Sequence, residues 1–325
     1  MSDKIELNAS VPLDPIKNRL DQILVELFPI YSRSILKKWI LCRCVTVNGV
    51  VVNIAKNKIL GGEKICINVE IKKIDPWEAK EIPLHIVYED QHILVIDKQS
   101  NLVVHPGAGH NHDTVLNALI HYFPAIKEVP RAGIVHRLDK DTTGLMVVAK
   151  TPLAHAHLVK ALQERKITRE YEAIVIGRMI AGGMVNSPIS RHPTKRTHMA
   201  INHFGKPAIT YYRILKKFRS HTWLKLQLYT GRTHQIRVHM AHIHHPLVGD
   251  PIYGGRPRLP KGASESFIST LYSFKRQALH ASTLCLEHPI FGVQMKWNSK
   301  LPKDIAKLLS SLETDAKVYK ELLDY

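Results

Sequence analysis

The amino-acid sequence predicts an α+β fold built on a mixed, largely antiparallel sheet with flanking helices. Segments such as PAITYYRIL and WLKLQLYT alternate apolar and polar residues, a pattern typical of antiparallel strands that bury one face. Helical segments are interspersed among the strands without a regular βαβ alternation. The 325 residues also suggest roughly two domains. We therefore expect a small α+β unit followed by a larger one.

The smaller unit is predicted over residues 17–75. Residues 1–16 are polar and contain prolines, so we expect a tail there. From Asn18 onward, leucines and isoleucines recur at helical spacing and stop before Pro29. A second short helix follows, and CVTVNGVVV then predicts two strands joined at a tight Asn-Gly turn. GGEKICINV predicts the strand that closes the unit.

The second helix carries its basic residues away from its apolar face. Either Ser32 or Ser34 can cap this helix. The basic residues that fall largely on its polar face are Arg33, Lys37, Lys38 and Arg43. Two helices with such a face, followed by a VNG hairpin, resemble the S-four-type RNA-binding domain.

The larger unit is predicted over residues 76–325, and the charged segment IKKIDPWEAKEIPLH, residues 71–85, is interpreted as the linker that spans the boundary. Its strand candidates include LHIVYEDQHILVIDK, GLMVVAKT and EYEAIVIG. We expect helices in THQIRVHMAHI and from about Pro302 to Leu323. Two more helices are expected, one capped by Asp113-Thr114 and running through Phe123, and one capped by Thr151.

Positive charge is concentrated in one part of the chain. The sequence has 46 Lys and Arg against 28 Asp and Glu, a net charge of +18. Residues 186–261 hold fourteen basic residues and a single acid, Asp250. A field of this size attracts polyanions, so it favours RNA or DNA as the partner. A membrane surface is disfavoured, since the basic stretch lacks an amphipathic helix with a broad apolar face.

The cysteines and the apolar runs exclude several classes. Four scattered cysteines, Cys42, Cys44, Cys66 and Cys285, are too few for a disulfide framework and give no paired zinc motif. No apolar run approaches the ~18 residues of a membrane-spanning helix, and no secretory h-region follows the N-terminus. We expect reduced thiols, a cytoplasmic location and a monomer.

Polar residues crowd into residues 133–144, directly before the buried strand GLMVVA. A loop that leads into a buried strand is a rigid place for a reactive group. Asp139 is our candidate for that group. We expect Asp141, beside Thr142, to accept backbone N–H groups in a tight turn.

The segment HRLDKDTTG resembles the H-R-L-D-x-D-T-S-G motif of the RluA/RluD-type pseudouridine synthases. Further segments match in the family's order: VYEDQHILVIDK, LVVHPGAG, REYEAIVIG, TGRTHQIRVHMAHIHHPLVGDPIYGG and ALHASTLCLEHP. With the RNA-binding domain, the resemblance covers nearly all of residues 17–300. It implies the pseudouridine synthase-type fold.

The resemblance also implies the reaction and the partner. Uridine in RNA is isomerised to pseudouridine without redox change or hydrolysis, so no cofactor is expected. The implied substrate is 23S ribosomal RNA or a large-subunit precursor, at clustered uridines of the helix 69 loop. A stem-loop suits an enzyme that needs an unpaired base.

The resemblance assigns roles residue by residue. Asp139 matches the essential carboxylate, either a nucleophile at the ribose or a base that removes a ribose proton. Arg237 is the expected cation beside Asp139, with Arg232 as the rival for that pairing. Tyr171 matches the tyrosine that stacks on uracil and can help remove the C5 proton. Arg137 matches the residue that fills the gap left by the everted base.

We assign the remaining candidates to RNA binding. They are His136 and Arg232 in the larger unit, and Arg33, Lys37 and Lys38 in the smaller one. No residue is assigned to a metal. His239 and His242 could share a helix face, but no cysteine or paired glutamate completes a ligand set.

The chain departs from the family pattern in loops. Thr143 replaces the usual serine, Gln99 and Asn101 stand where proline and glycine are usual, and Asp113 stands where glycine is common. These changes affect loop geometry and leave the chemistry intact.

Two other classes compete with this interpretation. A hydrolase on nucleic acid or sugar would need two cooperating carboxylates, which are not evident. A non-catalytic RNA-binding factor in ribosome assembly would use the same basic surface.

Overall fold

In the computed structural model the chain divides into two units, residues 1–76 and 77–325. The residues it describes are 2–15, 19–29, 31, 33–72, 77–107, 112–195 and 197–323. The boundary we expected from the sequence lies between residues 75 and 76. Each unit has its own hydrophobic core.

The first unit packs two helices against an antiparallel sheet. The helices are α1 (Leu20–Leu27) and α2 (Arg33–Leu41). The strands are β1 (Ser2–Ser10), β2 (Val45–Val47), β3 (Val50–Val51) and β4 (Lys64–Lys72), in the spatial order β1-β4-β2-β3. Ser32, one of the two predicted caps, lies outside the described residues, and Ser34 lies within α2.

The expectation of a tail at residues 1–16 is wrong for β1. This strand pairs with β4 from Ser2 opposite Lys72 to Ser10 opposite Lys64. Within it, Leu7 packs against the core of the unit, whereas its neighbours Glu6 and Asn8 are exposed. A strand with one solvated face needs few apolar residues, so its polar composition suggested a tail.

The Asn48-Gly49 turn forms as predicted between β2 and β3. Both residues have positive φ, 50° at Asn48 and 80° at Gly49. Asparagine and glycine tolerate this left-handed conformation, which a two-residue hairpin turn of this kind requires.

The second unit is built on a nine-stranded sheet. Its strands are β5 (Ile86–Glu89), β6 (Ile93–Lys98), β7 (Thr143–Ala149), β8 (Thr168–Ile176), β9 (Gly183–Asn186), β12 (Ile209–Lys217), β13 (His221–Leu228), β14 (Leu279–Glu287) and β15 (Gln294–Asn298). They are neighbours in the order β5-β6-β7-β14-β8-β13-β12-β9, and β15 pairs with β14. A separate hairpin is formed by β10 (Ile189–Arg191) and β11 (Met199–Ile201). The α+β fold with a largely antiparallel sheet is confirmed.

Five helices flank this sheet. They are α3 (Val115–Tyr122), α4 (Pro152–Gln163), α5 (Gln235–His242), α6 (Glu265–Ser273) and α7 (Lys303–Leu323), with 3₁₀ turns at Pro124–Glu128 and Pro130–Gly133. The predicted caps are present: the Thr114 hydroxyl accepts from the Asn117 amide, and the Thr151 hydroxyl accepts from the Ala154 amide. No helix among the described residues is long and apolar enough to cross a membrane.

The strands β7 and β14 run parallel, which brings distant segments together at one end of the sheet. His280 is paired with Thr143, and Ala281 with Gly144. Gly144 has φ +114°, and a Cβ there would lie 2.3 Å from the Ala281 carbonyl oxygen. Glycine is therefore required at this position, and it fixes where the 133–144 loop enters the sheet.

Candidate active site

A buried lysine donates hydrogen bonds to the backbone around the loop that carries Asp139. Lys98, at the end of β6, donates from Nζ to the carbonyl oxygens of Lys140 (2.9 Å), Leu102 (2.9 Å) and Gln99 (2.7 Å). Burial lowers the pKa of Lys98 to about 7, although the nearby Asp141 and Asp139 carboxylates oppose that shift. The bond to Lys140 fixes the backbone one residue after Asp139.

Side chains just before and at the start of β14 also bond this loop. Arg276 Nη1 donates to the Asp141 carbonyl oxygen at 3.0 Å, and Gln277 Nε2 donates to Thr142 Oγ1 at 3.1 Å. Thr143 Oγ1 lies 2.9 Å from His280 Nδ1. The threonine that replaces the usual serine here therefore keeps a hydroxyl that makes a hydrogen bond. These bonds fix the position of the loop in the fold.

Asp141 lies in a turn and its carboxylate accepts a backbone amide, as expected, but that amide belongs to Asn101, 40 positions earlier, at 3.2 Å. This bond therefore joins two loops rather than closing the turn. Asn101 has φ +59°, the left-handed conformation that explains why glycine is usual there and asparagine is tolerated.

Asp139 is paired with Arg237, and Arg237 is paired with a second acid. Arg237 Nη1 lies 3.1 Å from Asp139 Oδ2. Its Nε and Nη2 donate to the two carboxylate oxygens of Asp250 at 2.6 and 2.9 Å. Asp250 also accepts the amides of Ile252 and Tyr253. The guanidinium is thus fixed from behind by Asp250 while one edge faces Asp139.

Because Arg237 and Asp139 are largely buried, water screens the attraction between their charges only weakly. The Arg237 side chain is 4% exposed and that of Asp139 is 18% exposed. Burial alone would lower the pKa of Arg237, but the Asp250 and Asp139 carboxylates hold it above its usual value. Burial would likewise raise the pKa of Asp250, but Arg237 and the backbone amides hold it below its usual range. Asp250 and Arg237 therefore stay charged.

His234 is a further neighbour of Asp139. Its Nε2 lies 3.9 Å from Asp139 Oδ1, and its Nδ1 lies 2.9 Å from the Tyr253 hydroxyl. Burial lowers the pKa of His234, with Asp139 opposing, so the ring is neutral at neutral pH. It offers a polar edge to the site rather than a second cation.

Asp139 and Tyr171 share the wall of a cavity of about 520 Å³, a size typical of small-ligand sites. Tyr171 is buried on β8, and burial raises the pKa of its hydroxyl. Five arginines line the cavity: Arg131, Arg137, Arg165, Arg169 and Arg232. The cavity therefore offers a carboxylate and an aromatic ring in positively charged surroundings.

The other residues assigned to this region have distinct positions. Arg137 is exposed and lines the cavity beside Asp139. Arg232 does not pair with Asp139; its Nε donates to the Pro207 carbonyl oxygen at 3.1 Å. His136 lines the cavity too, but its Nε2 accepts the Val147 amide at 3.1 Å. Burial, with the nearby Arg169 charge, lowers the pKa of His136 to about 3, so the ring is neutral.

In the first unit, α2 presents its basic residues to solvent. Lys37 and Lys38 are exposed. Arg33 is exposed as well, but its Nη2 lies 2.6 Å from Asp21 Oδ2. Asp21 also bonds Arg19, and these two arginines hold its pKa low although burial opposes them. The charge of Arg33 is therefore partly offset within the unit.

His239, on α5, makes structural hydrogen bonds. His239 is buried, with Nδ1 2.9 Å from Thr210 Oγ1 and Nε2 3.0 Å from the Ser187 carbonyl oxygen. Among the described residues, no group of three or more His, Cys, Asp or Glu side chains is placed to hold a metal ion.

The chain matches the models of two known families. Residues 92–242 match the family model of RNA pseudouridylate synthase, and residues 18–65 match that of the S4 domain. The chain belongs to the RNA pseudouridylate synthase family, whose members are isomerases, and the predicted resemblance is confirmed.

The relatives are similar over their whole length. The chain is 60% identical over 325 residues to "Ribosomal large subunit pseudouridine synthase D" of Escherichia coli (strain K12), and 61% identical over 325 residues to that of Yersinia pestis, covering 100% of each chain. Among solved structures, "Human RNA Pseudouridylate Synthase Domain Containing 4" is 26% identical with a TM-score of 0.54, over 70% of this chain and 93% of that one.

Three residues of this site were not assigned from the sequence: Lys98, His234 and Asp250. Asp250 had a usable signal, because an acid alone among fourteen basic residues suggests a dedicated cation partner. Lys98 had a weaker one, since a lysine closes the apolar run ILVID. His234 had none, because its role depends on the left-handed backbone, φ +56°, at the start of α5.

Proposed function

We propose that this protein isomerises uridines of large-subunit (23S) ribosomal RNA to pseudouridine, at the clustered uridines of the helix 69 loop, and that Asp139 is the catalytic carboxylate. The observation that carries the proposal is the 3.1 Å contact between Arg237 and Asp139, a carboxylate that lines a cavity together with five arginines. The names of the relatives, which refer to the large ribosomal subunit, support this substrate.

Arg237 gives Asp139 its reactivity in a partly dry cavity. Desolvation disfavours a carboxylate anion, and a fixed guanidinium at hydrogen-bond distance offsets that penalty. Asp250 keeps the guanidinium in place, so little reorganisation accompanies the reaction. The carboxylate either attacks the ribose C1′ or removes a ribose proton. Either route breaks the N-glycosidic bond and lets uracil turn before the C5–C1′ bond forms.

Tyr171 and Arg137 act on the base. The buried Tyr171 ring offers uracil an apolar face in the cavity. Because its raised pKa keeps the hydroxyl protonated, Tyr171 accepts the C5 proton only if it passes its own proton on, and the balance of the isomerisation requires a proton to end on N1 of the uracil. The target uridine must leave its stack to enter the cavity. Arg137, which is exposed and lines the cavity, supplies a planar cation for the vacated space.

The proposal is tested by Asp139→Asn, with Asp141→Asn as the matched control. Both variants remove one carboxylate charge from the same loop, but the Asp141 carboxylate accepts a backbone amide. Helix 69 stem-loop RNA and 23S RNA from cells lacking the protein serve as substrates. Pseudouridine is located by carbodiimide primer extension and counted by tritium release from C5.

We expect isomerisation by the wild type and by Asp141→Asn, and RNA binding without isomerisation by Asp139→Asn. Turnover by Asp139→Asn would remove the catalytic assignment. If the wild type binds this RNA but never isomerises it, the protein is instead a binding factor for ribosome assembly.

A further inference from the structure

Two exposed tyrosines near the cavity have no role in the proposed reaction. Tyr211, on β12, is 43% exposed, and Tyr229, just after β13, is 40% exposed. Tyr211 is paired with Gln227, so both tyrosines lie on the same face of these strands. Leu226 and Leu228 alternate with Gln227 and Tyr229 along the chain and pack in the core. Core packing therefore gives no reason for aromatic residues on the outer face.

The two rings and an arginine form a continuous surface. The ring centroids of Tyr211 and Tyr229 are 6.4 Å apart at an interplanar angle of 80°. The Arg165 guanidinium carbon lies 4.2 Å from the Tyr229 ring centroid. We call Arg165, Tyr229 and Tyr211 the tyrosine track.

The track starts in the active-site cavity and leads away from it. Arg165 and Tyr229 line the cavity of about 520 Å³ together with Asp139 and Tyr171. Tyr211 lines a second depression of about 240 Å³ on the outer face of the sheet. A chain whose target residue occupies the cavity can thus continue onto the track.

The chemistry of the second depression suits a nucleotide. Glu170 in its wall is paired with Lys225 at 2.6 Å, so this carboxylate does not stand as an isolated negative charge. Arg213 and Gln227 are exposed in the same wall. An arginine can contact a phosphate, an amide can bond a base edge, and a tyrosine ring can stack on the base.

We propose that the tyrosine track binds an unpaired nucleotide next to the target uridine, with its base stacked on Tyr211 and its phosphate near Arg213. This rests on the proposed function, since it places a second residue of the same RNA. An unpaired base is required because a paired base in a helix already has both faces stacked. The track would make the enzyme select uridines in loops.

Tyr211→Ala tests the track, with Tyr211→Phe and Tyr122→Ala as controls. Phenylalanine keeps the stacking ring. Tyr122 is also an exposed tyrosine, and its hydroxyl bonds Glu89 on β5, at the opposite end of the sheet. KM and the single-turnover rate constant are measured on a stem-loop RNA with the full-length chain. We expect Tyr211→Ala to raise KM about tenfold, within the range for loss of one base–aromatic stack, and to leave the single-turnover rate constant unchanged.

The RNA is varied in parallel by placing one abasic nucleotide at each unpaired position around the target. With the wild type, one position should raise KM about tenfold, and with Tyr211→Ala that penalty should disappear. Unchanged KM in Tyr211→Ala, an equal effect in Tyr211→Phe, or an abasic penalty that persists in Tyr211→Ala would overturn the track. A wild type that isomerises no RNA would instead refute the proposed function.

Discussion

Arg33 in the first unit and Arg237 in the second each hold an aspartate, but in different surroundings. The shortest N–O distance is 2.6 Å in both the Arg33–Asp21 and the Arg237–Asp250 pairs. The Arg33 side chain is 53% exposed, whereas that of Arg237 is 4% exposed. Both aspartates are buried, but solvent and salt screen the exposed Arg33, and Arg19 stays beside Asp21 if Arg33 is removed. The second pair cannot be opened without leaving a charge in the protein interior. Burial of the arginine, rather than the ion-pair distance, therefore separates the two contacts.

Arg237→Met should give the largest effect. It leaves Asp139 without its cation and the buried Asp250 without a charged partner, so we expect at least a ~10²-fold loss of isomerisation and about 3–5 kcal/mol of stability. Arg33→Met, the matched change in the first unit, should cost about 1 kcal/mol, because Arg19 still pairs with the buried Asp21, and should leave turnover at saturating RNA unchanged. Single-turnover kinetics and urea unfolding measure both. Equal stability losses would show that burial does not distinguish the pairs.

Asp250→Asn should have an intermediate effect. Asparagine still accepts the backbone amides of Ile252 and Tyr253, but it no longer holds Arg237 with a charge. We expect about a tenfold to hundredfold loss in the single-turnover rate constant with RNA affinity retained. A wild-type rate in a folded Asp250→Asn variant would show that Arg237 needs no support from behind.

The surface of the first unit should act on affinity. Replacing Lys37 and Lys38 together by glutamine should weaken RNA binding and reduce the slope of log K against log salt by up to about 1.8, since each phosphate contact contributes about 0.7–0.9. Arg33→Gln should change the slope less, because Asp21 already offsets its charge. Binding titrations between low and physiological salt separate the two variants. A larger effect from Arg33 would contradict this order.

His136 should produce the smallest effect, and one that depends on pH. Its folded pKa of about 3 lies below the usual value of 6.5, so the unfolded chain binds the extra proton. His136 makes its full contribution to the free energy of unfolding above about pH 6.5. This contribution falls as the pH drops toward 3, and at pH 5 the loss reaches up to about 2 kcal/mol. In His136→Gln the amide can still accept the Val147 N–H but does not titrate. Urea unfolding at pH 7 and pH 5 should show a smaller difference for this variant.

Much of the framework followed from local sequence signals. The Asn48-Gly49 hairpin and the helix caps at Thr114 and Thr151 are as predicted, because each depends on residues close in the chain. β1 and β14 were not predicted as strands. β1 is too polar to stand out, and β14 pairs with strands far away in the sequence.

The sequence by itself determined the family, the S4 and synthase segments and the positive charge, because motifs and composition are properties of the linear chain. It also indicated that Asp139 needs a cation. Tertiary structure alone decided that Arg237 rather than Arg232 contacts it, and that Asp250 holds Arg237 from behind. Such contacts depend on strand order and burial. Residues 139 and 237 meet because the sheet and α5 bring them together across 98 positions.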